Sequence, residues 1–413
     1  MPYDIWPSPG LFASRINILL MTFVLFAVAI GTSTLLLRCL PPIRRILADV
    51  EAGRHTTIDG LRGLLAIGVF IHHTVITWCD LHGAGWRLPP SRLIVHLGQT
   101  SVALFFMITA FLFWGRVLSR RGGLDWMAFL VSRLFRLYPA YLVMLGLLLA
   151  ITYGFVTPEQ RANAGLWPQL ASWMLFTVFG APNLNGLPDT GMVVAWVTWS
   201  LPYEWLFYLA LPALAFAAGL VRKPVAASVS AMAVTGLFAC FGWHNPFSLD
   251  ILLSFIGGIV AAHWVRSPVL TAISRRRGAG PVAVAALLAV VWFMPTAYCW
   301  PSTLGLTVFF TIVASGNDLW RLLRRPGLLW LGDISYPVYL LHGLLLWTVF
   351  RHLLPQEAVA SGPIYAGVSL VNDVVLVLAA TAVFLAVERP AILAGKHWYQ
   401  RLSRSAVLLR SNV

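Results

Sequence analysis

The chain has 413 residues, 59% of them hydrophobic and only 11% charged, whereas soluble domains run at about 25% charged. That composition excludes a soluble globular protein and predicts an all-α, polytopic transmembrane helix bundle. The formal net charge of +14 would suit a nucleic-acid partner, but membrane topology accounts for where the basic residues fall, and no nucleic acid is expected.

Apolar segments fall at 16–37, 58–79, 98–115, 137–156, 196–220, 224–242, 247–265, 280–299, 302–316, 334–350 and 366–387. They predict about eleven spans, several short enough to tilt or to be flanked by re-entrant pieces. Cytoplasmic loops of membrane proteins carry the excess of Lys and Arg, and this sets the orientation. With the N-terminus outside and the C-terminus cytoplasmic, most of the 29 Lys and Arg lie in inner loops and the tail. Only Arg15, Arg87, Arg92, Arg161 and Arg351 remain outside, with Arg62 inside a span. The chain divides into an extra N-terminal span and basic cytoplasmic loop (1–57), a main membrane domain (58–390) and a short basic tail (391–413). The N-terminus lacks a basic n-region and a small-residue cleavage site, so the first span is expected to stay in place. The four cysteines stand in no metal-like spacing, and no metal site is expected.

The second span carries the strongest functional signal. It reads IDGLRGLLAIGVFIHHT and contains Asp59, Arg62, His72 and His73. Charged and titratable side chains are costly inside a bilayer and are read as functional by default. His73 follows Arg62 by eleven residues, close to three turns, so Asp59, Arg62 and His73 share a face while His72 is rotated by roughly 100°. The same spacing sets His73 about 16 Å beyond Arg62 along the axis, near mid-membrane.

Further along, SRLFRLYPAY is read as an inner loop. It sets Arg133 and Arg136 three residues apart, as a phosphate clamp or as positive-inside anchors. The stretch from 157 to 198 is read as an outer loop rich in Trp, Pro, Gly and Asn. Its centre, WPQLASWMLFTVFGAP, is too short to span and suits either sugar binding or an aromatic belt. WSLPYEWLFYLALP puts Glu204 at the outer start of a span, where it either meets a substrate or stabilises the helix N-terminus. GDISYPVYLLHG offers Ser335 as a helix cap, with Ser335, Tyr339 and His342 on one face and His342 either functional or a core histidine. Glu388, Arg389 and Pro390 close the last span, with a structural ion pair expected. There is no GxSxG, HExxH, P-loop or Rossmann pattern, so any chemistry rests on His, Arg and carboxylates.

These segments together resemble acyltransferase family 3, the bacterial integral-membrane O-acyltransferases of surface glycans. DGLRGLLAIGVFIHH is similar to its Arg-x10-His signature, and SVALFFMITAFLF, RLFRLYP, WSLPYEWLFYL, ISYPVYLLH and ERP follow in the family's order. Ser101, Thr109 and Ala110 replace a usual Gly, Ser and Gly and are expected to tighten the third span. The resemblance implies transfer of an acyl group, acetyl being the commonest, from cytoplasmic acyl-CoA to a hydroxyl of an exopolysaccharide or other surface glycan, or its lipid-linked precursor. The expected place is the bacterial cytoplasmic membrane, with membrane lipid around the chain and the oligomeric state left open. The resemblance is expected to be to the stand-alone form, without the fused esterase-like domain that some members carry. His73 then removes the acceptor's proton or takes the acyl group itself. Arg62, Arg133 and Arg136 bind acyl-CoA, and Glu204 meets the acceptor. Asp59, Ser335, Tyr336, Tyr339 and His342 are expected to line a cavity running between inner arginines and an outer Glu204 a bilayer apart. The competing class is a transporter or flippase for a glycan, lipid-linked or anionic substrate, in which buried His and Arg relay protons or bind an anion.

Overall fold

The computed structural model describes residues 15–50, 55–120, 123–162, 165–220, 224–241 and 247–411. Among these residues the chain is helical, with no strand. The helices used below are α1 (Arg15–Cys39), α2 (Pro41–Val50), α3 (Thr56–Cys79), α4 (Arg92–Arg120), α5 (Trp126–Phe155), α6 (Leu166–Met174), α7 (Ser200–Ala217) and α8 (Pro224–Phe241). They continue as α9 (Leu249–Trp264), α10 (Pro268–Arg275), α11 (Ala279–Phe293), α12 (Trp300–Ala314), α13 (Pro326–Asp333), α14 (Ser335–Thr348), α15 (Gly362–Val383) and α16 (Arg389–Ser411).

Five stretches are long and apolar enough to cross a membrane: Ile18–Cys39, Thr56–Ala84, Arg92–Arg120, Trp126–Phe155 and Gly362–Gln400. Two bent pairs, α9 with α10 at 105° and α13 with Ser335–Leu353 at 74°, bring the number to seven. The other predicted spans in the described residues are shorter. Val225–Gly236, Ala279–Phe293 and Trp300–Ala314 are 10–17 residues long, below the roughly 20 a helix needs to cross unaided. Apolar runs therefore mark helices, and turns and bends divide some of that hydrophobic sequence into shorter pieces. The stretch from 166 to 181 forms the nine-residue α6 and a turn with Phe176 and Thr177 at positive φ.

The described residues divide into two compact units. The first takes the described residues of 15–115, 191–200 and 247–379; the second takes those of 116–190, 201–241 and 380–411. In the first, α3 is the most enclosed helix and its small residues set how closely its neighbours approach. A Cβ at Gly332 of α13 would collide with the Asp59 carbonyl, and one at Gly60 with the Leu323 carbonyl. Backbone meets backbone here, which is how helices associate where no water drives them together. α1 seats on the same helix from another side: the buried Ser33 hydroxyl donates to the Gly327 carbonyl at 2.8 Å, a contact worth about 0.6–2 kcal/mol in a membrane. The departures in the third span pack tightly as well. Ser101 is buried against Gly68, and Ala110 against Gly258 of α9.

In the second unit, Asp125 caps α5 by accepting from the Ala128 amide at 3.0 Å. α6 is pinned to α5 by the Tyr141 hydroxyl, which donates to the Trp173 carbonyl at 2.7 Å.

Candidate active site

The polar residues of α3 part company according to helical phase. His72 turns toward α4, where its Nδ1–H donates to the Ile94 carbonyl at 2.7 Å and its ring lies against Gly98. It is 6% exposed, a core histidine with a structural partner. Asp59, Arg62 and His73 face the other way, toward α13 and α14. Arg62 Nη1 lies 3.6 Å from Asp59 Oδ1, and its Nη2 donates to Ser335 Oγ at 2.9 Å. Eleven residues on, His73 Nδ1 lies 3.0 Å from His342 Nε2. Residue numbers rise together at both contacts, so α3 and α14 run parallel with a polar rung near each end.

The partners around the two imidazoles assign their protons. His342 Nδ1 faces the Val338 carbonyl at 3.2 Å and His73 Nδ1 faces the Val69 carbonyl at 3.1 Å. A carbonyl only accepts, so both Nδ1 atoms carry hydrogen. His342 Nε2 is then a lone pair, accepting from His73 Nδ1–H, which it shares with Val69. His73 Nε2 is left as an unprotonated lone pair, and the ring keeps partial exposure while His342 is fully buried. A ring nitrogen whose partner nitrogen is held by hydrogen bonds is oriented as a base or nucleophile.

At the lower rung the span is broken. α13 ends at Asp333 and α14 restarts at Ser335, bent by 74°. Non-helical backbone at membrane depth is tolerated where it is buried in protein or lines a cavity. Ser335 is not the cap the sequence suggested. Its hydroxyl donates to the Gly332 carbonyl at 2.9 Å while accepting from Arg62, so it ties the break to α3. Tyr336, one residue on, is partly exposed. Tyr339 is buried with its hydroxyl committed, donating to the Val197 carbonyl at 2.8 Å and bonded to Ser200 Oγ at 2.8 Å. It fastens the 191–200 segment to α14.

Glu204, Arg133 and Arg136 belong to the second unit, and here two expectations are corrected. Arg133 and Arg136 lie inside α5, in its second and third turns, not in a loop. Glu204 is not a bilayer away from them. Its Oε2 accepts from the Tyr208 hydroxyl at 3.0 Å, and Glu204, Tyr208, Arg133 and Arg136 interact electrostatically as one cluster. The Tyr208 ring meets Phe129 of α5 edge to face at 5.9 Å, and Glu204 stands one turn before Tyr208 on α7. Arg116, at the end of α4, joins the same cluster. Glu388, fully buried in a π-helical stretch, lies 3.7 Å from Arg136 Nη2. The expected ion pair at the chain's last span thus forms with Arg136.

Sequence reasoning missed Arg116, Tyr208 and Trp86. Tyr208 had a signal, its i+4 spacing from Glu204. Arg116 reads as one more basic residue at a span's end. Trp86, whose ring lies 6.1 Å from that of His73 with 20° between planes, had none.

The acyltransferase domain of family 3 matches residues 55–388. A protein of Komagataeibacter xylinus named as membrane-bound transacylase BcsY is 27% identical over 304 residues, covering 70% of this chain and 72% of its own length. No solved structure matches the chain. The Arg62 and His73 face of α3, the Arg–Glu–Tyr cluster and the broken α13–α14 span all lie within the matched residues, and the chain belongs to acyltransferase family 3 as a multi-pass membrane acyltransferase.

Proposed function

We propose that this protein transfers an acyl group, acetyl in the simplest case, from acyl-CoA to a hydroxyl of a cell-surface glycan or its lipid-linked precursor, in the bacterial cytoplasmic membrane. The observation that carries this reading is the His73–His342 pair, which leaves His73 Nε2 as an oriented lone pair inside a membrane helix. In the proposed step, Nε2 takes the proton of the acceptor hydroxyl as that oxygen attacks the thioester carbonyl. The carbon–sulfur bond breaks, an ester forms, and the departing thiolate takes the proton from the imidazolium, giving free CoA thiol and restoring neutral His73. Charge that develops on the imidazole is met by the Val69 carbonyl and the His342 lone pair.

Arg62 sits about 16 Å down the axis from His73, too far to share the reacting carbonyl. It serves a remote part of the donor, held ready by Asp59 and Ser335. Arg116, Arg133 and Arg136 set three guanidinium groups against the carboxylates of Glu204 and Glu388, an excess of positive charge that suits the phosphates of CoA. In this reading Glu204 orients that cluster through Tyr208.

The test is thiol release from acetyl-CoA by the purified protein in lipid nanodiscs, with and without soluble saccharides. Saccharide-dependent release that disappears in His73→Ala supports the reading. A transporter or flippase would release no thiol, and that result would overturn it.

A further inference from the structure

Trp86 follows His73 by thirteen residues, which along a straight helix would carry it about 20 Å away. The chain instead folds back. After Cys79 the helix loosens into a π turn (Asp80–Ala84), and His82 leaves helical geometry with φ −98 and ψ 22. Gly83 and Gly85 then take left-handed φ of 82 and 73, values that a side chain resists. The root of this return is held by the ion pair of Asp80 with Arg351 and by His82 Nδ1–H on the Trp78 carbonyl at 2.8 Å. The outcome is an indole lying almost parallel to the His73 ring, with both groups partly exposed. Arg87 and Leu88 beside it are exposed, so the loop is a surface turn.

Two further loops of the same unit gather around this end of the paired helices. The 191–199 segment presses its backbone onto Gly343, the residue after His342, where a Cβ would meet Ala195 N at 2.6 Å. Trp199 of that segment meets Tyr298 edge to face at 6.1 Å, and Tyr298 belongs to a turn tied to α4 through Gln99, which accepts from Thr296 Oγ1 at 2.8 Å.

We propose that Trp86 is the platform on which a pyranose ring of the acceptor rests, presenting one hydroxyl to His73 Nε2. The inference builds on the reading of His73 as the base and names what the acceptor must offer: an apolar ring face with hydroxyls at its edge. A flat indole suits the first, and the partly exposed His73 beside it suits the second. A simple alcohol has no such face and gains nothing from Trp86.

The test uses the full-length protein in nanodiscs with cellobiose as the saccharide probe and glycerol as the faceless control. Cellobiose binding is followed by calorimetry, and thiol release from acetyl-CoA is followed with either acceptor. Trp86→Ala is expected to weaken cellobiose binding and raise its KM by about tenfold, with kcat nearly unchanged and glycerol-supported release unaffected. Trp86→Phe restores most of the loss. Gly85→Ala, whose Cβ would meet open space but whose φ resists a side chain, tilts the platform without removing it and gives the same selective defect. Equal losses with cellobiose and glycerol, unchanged cellobiose binding in Trp86→Ala, or no cellobiose binding in the native protein would each overturn the inference. Cellobiose binding without any thiol release would instead strike at the acyl-CoA reading and leave the platform standing.

Discussion

His342 Nε2 accepts from His73 Nδ1 across 3.0 Å, joining residues 269 positions apart in the chain. The arrangement resembles the orienting half of a catalytic triad, with a neutral imidazole where an acid would stand. It fixes the tautomer and ring angle of His73 without placing a second full charge in the membrane. His342→Gln is expected to lower kcat by about 10–100-fold, the usual effect of losing an orienting partner, with KM for both substrates little changed. His73→Ala is expected to reach background. Steady-state kinetics of the two variants, matched for membrane expression, distinguish a positioning role from a merely packed histidine.

His72 and His73 are neighbours with different partners, Ile94 and His342. His72→Ala removes a buried hydrogen bond to the Ile94 carbonyl, a cost of about 0.5–1.5 kcal/mol, but leaves the His73–His342 pair in place. It is expected to lower the detergent-solubilised melting temperature while retaining activity at permissive temperature. Gly98→Ala should act the same way, because the new methyl meets the His72 ring. If His72→Ala were inactive and His73→Ala active, the assignment of the base would be wrong.

Arg62 and Ser335 should behave as a coupled pair. Ser335→Ala frees Arg62 from the helix break, and Arg62→Gln removes the charge as well. A double-mutant cycle on donor KM is expected to give a coupling of about 1 kcal/mol, and Arg62→Lys only partial recovery because it lacks the planar fork. Additive effects would show that the contact does not orient Arg62 for the donor.

Variants of the arginine cluster are expected to separate donor binding from folding. Arg133→Gln is expected to weaken acyl-CoA binding by about 1.5–3 kcal/mol with little loss of stability. Arg136→Gln should also destabilise, by about 1–3 kcal/mol, because it weakens the pairing of the fully buried Glu388. Adding Glu388→Gln to Arg136→Gln should recover thermal stability but not donor affinity. Calorimetric titration with CoA, alongside thermal unfolding, reads both quantities.

Residue types and helical spacing alone determined much of this protein. Its composition required a membrane bundle. The eleven-residue offset from Arg62 to His73 put one histidine on the Asp59 and Arg62 face and turned the other away, because phase along a single helix is local geometry. The order of short motifs from DGLRG to ERP marked the family. Tertiary structure decided what no periodicity contains: that His342 is the partner of His73, that Glu204 and Tyr208 of α7 share a charge cluster with Arg133 of α5, and that a glycine turn returns Trp86 to the His73 ring. It also decided which apolar runs form one long helix and which are bent at a break. Each of these depends on contacts between residues far apart in the chain, and those contacts arise only when close helix packing chooses which faces meet.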